Sequence, residues 1–92
     1  MAEHVSETGT YKNISASALV FTGACDLLGI FVASSAAATV LVYDQTSAAV
    51  PIVANTFTAI AGTFYPIPAH CGNGIYVTIT GTADMTVFYK AR

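Results

Sequence analysis

The side chains able to do chemistry are few and scattered. The chain has five carboxylates (Glu3, Glu7, Asp26, Asp44 and Asp84), two histidines (His4 and His70) and two cysteines (Cys25 and Cys71). A paired-carboxylate site needs two acids about 5–9.5 Å apart in a cleft. Asp26, Asp44 and Asp84 each fall at an expected strand end or turn, where aspartate bonds its own backbone. His70 and Cys71 are adjacent, but adjacent strand residues point to opposite faces, so they form no nucleophile–base pair by themselves. None of the four His and Cys residues shows the C-x2–4-C or H-x3–5-H spacing of zinc sites. There is no G-x-S-x-G elbow, phosphate-binding glycine loop or dinucleotide fingerprint. The expectation is therefore a protein that is not an enzyme, with no catalytic residue, no cofactor and no metal.

Composition points the same way. Of 92 residues, 54% are hydrophobic and only 9% charged, against roughly 25% charged in an ordinary soluble domain. From Leu27 to Ala83 the one charged residue is Asp44. A fold of this composition exposes apolar surface, and large apolar patches mark interfaces, whose cores are depleted in charge. Three Lys or Arg and a net charge of −2 exclude a nucleic-acid footprint, which needs basic residues to displace counterions. The ten aromatics are then core or interface rather than base-stacking platforms. The start, MAEHVSETG, shows no signal-peptide pattern. Cys25 and Cys71 are accordingly expected as free buried thiols, with a disulfide as the alternative.

The uncharged run Leu27–Tyr43 touches the lower length limit of a membrane-spanning helix. Its flanks, Asp26 and Asp44, are acidic, Ser34, Ser35 and Thr39 interrupt it, and its β-branched residues favour strand. No membrane association is expected.

The elements that would position these residues read as strands throughout. Residues 1–10 are polar and are expected to form a flexible arm, followed by one domain over residues 11–92. Strands are expected within Tyr11–Phe21, over Cys25–Ala33, Ala38–Asp44, Ala49–Ala54, Thr56–Ala61, Phe64–Pro68, Ile75–Thr80 and Met85–Lys90. Turns are expected at Thr22–Ala24, Ser34–Ala37, Asp44–Ser47, Gly62–Thr63, Cys71–Gly74 and Gly81–Asp84. Gly29 inside a strand marks a bulge or a close backbone approach, and Ile75–Lys90 reads as a hairpin. Short strands with regular turns predict an all-β fold: a small antiparallel β-sandwich or jelly-roll-like barrel of about 7–8 strands.

Several strands are apolar on both faces. Val40 and Val42 alternate with Leu41 and Tyr43, and Val87 and Tyr89 alternate with Phe88. A sandwich buries one face of each sheet. The other face, carrying Leu41, Tyr43, Tyr76 and Phe88, is expected to pack against another molecule, the alternative being cover by a third layer or the N-terminal arm of the same chain.

The motifs L-x-G-I-x-V at Leu27–Val32, A-T-V-L-V-Y-D at Ala38–Asp44 and G-I-Y-V-T-I-T-G-T-A-D-M-T-V-F-Y at Gly74–Tyr89 resemble a class of short virion proteins of tailed bacteriophages. The resemblance spans roughly Leu19–Tyr89. It implies a β-sandwich that decorates or cements a capsid, bound across subunits of the major capsid protein. It also implies a homo-oligomer, a trimer, located on the virion surface after synthesis in the host cytoplasm. Comparable modules on tails and fibres imply the alternative, adhesion to host glycans through loop residues such as Asn55 or Asn73. No catalytic residue is implied.

Overall fold

Two long apolar runs set the architecture. The computed structural model describes residues 9–92, which form one antiparallel sheet. Its strands are β1 (Thr10–Ile14), β2 (Ala18–Thr22), β3 (Cys25–Tyr43), β4 (Ile52–Thr58), β5 (Thr63–Cys71) and β6 (Gly74–Ala91). Positions 1–8 of the expected N-terminal arm lie outside the described residues, and Thr10 already belongs to β1.

β3 and β6 pair along their whole length, from Cys25↔Ala91 to Tyr43↔Tyr76. Fully extended, 19 residues would reach about 60 Å, yet the longest dimension of the molecule is 39 Å. Both strands therefore bend, and they bend together. The pairing jumps from Ala36↔Thr82 to Thr39↔Thr80, and Ala37 (φ +51°) and Gly81 (φ +95°) both take left-handed backbone. A Cβ on Gly81 would run into the Ala37 carbonyl oxygen and stand 3.0 Å from Ala38 Cα. Only glycine lets the two backbones approach this closely at that φ.

The bend divides the sheet into two four-stranded arms. In the first, β1 and β5 flank the Cys25–Val32 part of β3 and the Met85–Ala91 part of β6. In the second, β2 and β4 flank the Thr39–Tyr43 and Gly74–Thr80 parts. The far ends of the arms also meet. Thr22 and Gly74 end the second arm, Cys25 and Cys71 the first, and the turns at 22–25 and 71–74 join them. Three peptide units span at most about 11 Å, which matches the roughly 10 Å spacing of stacked sheets. Gly23 N donates to Asn73 O at 2.9 Å and ties the two turns together. The sheet is thus doubled over on itself.

One hydrophobic cluster fills the space between the arms. Leu27, Ile30, Val32, Met85 and Val87 come from the first arm and Val40, Val42, Ile75 and Val77 from the second, all at most 1% exposed. Cross-arm aromatic pairs cover the two open sides. Phe21 of β2 meets Tyr89 of β6 at 5.3 Å, and Phe57 of β4 meets Tyr65 of β5 at 5.0 Å.

The all-β expectation holds, with six strands making eight strand segments. Four details differ. Cys25–Ala33 and Ala38–Asp44 are one strand, because the expected turn at Ser34–Ala37 is the bend within β3. Ile75–Lys90 is not a hairpin, because Gly81–Asp84 lies inside β6 and a single left-handed glycine suffices to change the strand's direction. Asp84 therefore sits in mid-strand. The strands expected over Ala49–Ala54 and Thr56–Ala61 are one strand, β4, which starts at Ile52 after Pro51 and ends at Thr58. The role foreseen for Gly29 is met twice over. The ladders to β5 and β6 both shift between Leu27 and Gly29, and a Cβ there would collide with the Phe64 ring and the Tyr65 carbonyl.

Asp44 holds the far ends of the arms in place. Its Oδ1 accepts from Asn73 N (2.9 Å) and Gly74 N (3.3 Å), its Oδ2 accepts from Gly72 N (3.2 Å), and Asn73 Nδ2 donates to its carbonyl (3.2 Å). Hydrogen bonds to a charged group contribute about 1.5–3 kcal/mol. Asp44→Ala is therefore expected to lower unfolding stability by about 1–3 kcal/mol, read as a fall in the urea midpoint at constant slope.

Candidate interaction faces

Doubling the sheet turns one side of each arm inward and leaves the other outward, so the chain has two outer faces. The bulge at Gly29 decides which residues of β3 reach them. Cys25 and Leu27 point inward before it, Ile30 and Val32 after it. A one-residue slip of this kind exchanges the two faces, and it sends Leu28 and Phe31 outward.

The outer face of the first arm is aromatic. The Phe64 ring lies across Gly29 and meets Phe88 edge-on at 6.1 Å, and Phe88 meets Tyr11 at 6.5 Å. These rings cross β5, β6 and β1 in a stripe beside Phe31. Tyr11 is 67% exposed and Phe64 48%. Gly9, Leu28, Phe31, Phe64 and Phe88 line a hollow of about 440 Å³. Polar groups border the stripe at both ends. At one end Asp26 Oδ1 bonds Arg92 Nε at 2.8 Å and His70 Nδ1 at 3.3 Å. At the other Asn13 Nδ2 donates to Asp84 Oδ1 at 2.8 Å and to the Met85 carbonyl at 3.0 Å. An apolar centre with a polar border is the usual anatomy of a protein interface.

The Arg92 hydrogen bond, assisted by His70, lowers the pKa of the Asp26 carboxyl below its ordinary value. The lowered pKa belongs to the folded state, so the resulting stabilisation is present above about pH 4 and is lost as pH falls through the folded-state value. Asp26→Asn is expected to flatten the acid limb of the stability–pH curve while leaving its shape above neutrality unchanged, as thermal melts between pH 2 and 8 would show.

The outer face of the second arm is uncharged. Leu19, Tyr76, Tyr43 and Ile52 are in register across β2, β6, β3 and β4. The Tyr43 and Tyr76 rings lie 6.4 Å apart. In the next row Leu41 pairs with Thr78, whose hydroxyl reaches the Leu41 carbonyl at 3.4 Å. No strand segment of this arm contains a charged residue.

The four residues expected on an outer surface are all outward-facing, but not together. Leu41, Tyr43 and Tyr76 share the second face and Phe88 lies on the first. Sequence reasoning missed Leu19 and Ile52 in the tyrosine row, and Tyr11, Phe31 and Phe64 beside Phe88. Placing them requires knowing which strands are neighbours, which no local pattern reveals.

The residues considered for chemistry are dispersed. His70 faces outward from β5, which runs on past the expected Phe64–Pro68 into the first residue of the expected turn, while Cys71 is fully buried. Among the described residues no three His, Cys, Asp or Glu side chains are grouped so as to hold a metal ion. Of the asparagines considered for glycan contact, Asn73 donates to Asp44, and Asn55 Oδ1 accepts from Thr56 N at 2.8 Å. A smaller apolar hollow of about 230 Å³ opens between the arms at Phe57, Tyr65 and Ile67. No helix is long and apolar enough to cross a membrane among the described residues. Comparison with family models, curated proteins and solved structures returns no match.

Proposed function

We propose that this protein is a structural virion component that decorates and cements a phage capsid, binding across subunits of the major capsid protein as a homo-oligomer, a trimer. It sits on the capsid surface after synthesis in the host cytoplasm and performs no reaction. The observation that carries this reading is the pair of apolar outer faces on one small body. The uncharged Leu19–Tyr76–Tyr43–Ile52 face suits contact between copies, because interfaces between identical subunits are the most apolar. The aromatic face around Phe88, with its polar border, suits a second partner, the capsid.

The edge of β5 supports assembly through faces. Pro66 and Pro68 interrupt its row of N–H donors, so added strands are disfavoured there. The motif resemblance over Leu19–Tyr89 supplies the virion setting. Adhesion to glycans through Asn55 and Asn73 has less support, since both side chains are engaged locally.

The test is heat release of DNA from particles made with and without the protein. Earlier release without it, restored by adding the purified chain, is expected. Identical release curves would remove the cementing role.

A further inference from the structure

We infer that Cys25 and Cys71 are a built-in cross-strand covalent lock, which closes when the fold meets a small-molecule disulfide such as oxidised glutathione. Cys25 opens β3, Cys71 closes β5, and the two are direct partners in the antiparallel ladder. Directly opposed residues of such a ladder have Cα atoms about 4.5–5.5 Å apart, with side chains on the same side of the sheet. That separation lies within the disulfide range of about 4.4–6.8 Å. Both are free thiols and both are fully buried. Closure would thus require little backbone movement.

The location gives the bond its effect. The pair sits where the 22–25 and 71–74 turns join the far ends of the arms. A bond there would close a loop over residues 25–71, and long closed loops restrict the unfolded chain most. Burial pushes both thiols up, Cys71 to about 12, with the Asp44 and Asp26 carboxylates adding to the effect. Both cysteines are therefore protonated and unreactive in the closed fold, and exchange waits on local opening of this end.

The chemistry balances with the oxidant named. A cysteine thiolate attacks the glutathione disulfide, forms a mixed disulfide and releases one reduced glutathione. The second cysteine attacks the protein sulfur of that mixed disulfide, forms the Cys25–Cys71 bond and releases the other. The two cysteines lose two protons and two electrons, and the glutathione disulfide gains them. The inference does not depend on the proposed role. For a particle leaving reducing cytosol for an oxidising medium, it would add strength after release.

The full chain, incubated with oxidised glutathione and then digested without reduction, tests this by mass spectrometry. A Cys25–Cys71 linked peptide is expected, formed at a rate independent of protein concentration. It should accompany a rise in Tm on the order of 10 °C that dithiothreitol reverses. Cys25→Ser and Cys71→Ser should show no such rise. If either variant fails to fold, the wild-type peptide map still decides. Only glutathione adducts, only intermolecular dimers, or unreacted thiols under conditions that oxidise the urea-unfolded chain would overturn the inference. So would a linked peptide without a rise in Tm.

Discussion

Gly81→Val is expected to cost the fold about 3–5 kcal/mol, through left-handed backbone strain and a direct backbone clash. A 92-residue domain has only about 5–14 kcal/mol to lose. The site lies where β3 and β6 turn from one arm into the other. A β-branched side chain is disfavoured at φ +95°, and its Cβ would meet the Ala37 carbonyl. Neither strand can shift alone, because each also carries flanking strands in both arms. Gly72→Ala is the matched control. Open space surrounds that position and its φ is not in the left-handed range, so a change within about 0.5 kcal/mol is expected. Urea unfolding of the two variants checks both numbers. Equal midpoints would show that the bend does not need its glycine.

Tyr43→Glu is expected to weaken self-association on the order of 30-fold or more, the effect of losing about 2 kcal/mol at an interface hot spot. Tyr43 sits mid-row between Tyr76 and Ile52 on a face without charge, so a carboxylate there would lose water with no basic partner in its own arm. Its side chain points away from the core, opposite to the buried Val42. The monomer should therefore keep its circular dichroism and nearly its melting temperature. Phe88→Glu should leave self-association intact and abolish capsid binding, because Phe88 lies on the other face. Analytical ultracentrifugation and a particle co-sedimentation assay separate the two effects. An unfolded Tyr43→Glu monomer would return the residue to the core, and an intact oligomer would move the interface elsewhere.

Period-2 alternation separates the two faces of β6 in the sequence, Ile75, Val77 and Ile79 on one and Tyr76, Thr78 and Thr80 on the other, but it does not say which of them is buried. Leu41, Tyr43, Tyr76 and Phe88 turn away from the buried cluster, but on two different arms, which alternation does not reveal. Glycine flags the bulge at Gly29, but alternation alone does not say that the slip turns both Leu28 and Phe31 outward. Gly81 read as a turn because a strand that bends and one that reverses share the same local signal, a glycine among small polar residues. What separates them is long-range: β3 runs alongside β6 on both sides of the bend, and each half has its own flanking strand. The composition of each strand segment held the contrast between a charged-bordered and an uncharged face. Assembling those segments into faces took the order of strands.

Immunogold electron microscopy of intact particles from the source is the decisive test of whether this chain coats a phage head. An antibody against the purified domain should label the whole capsid surface, many copies per head. Label confined to the tail or its tip, or no label on any particle, would contradict the claim.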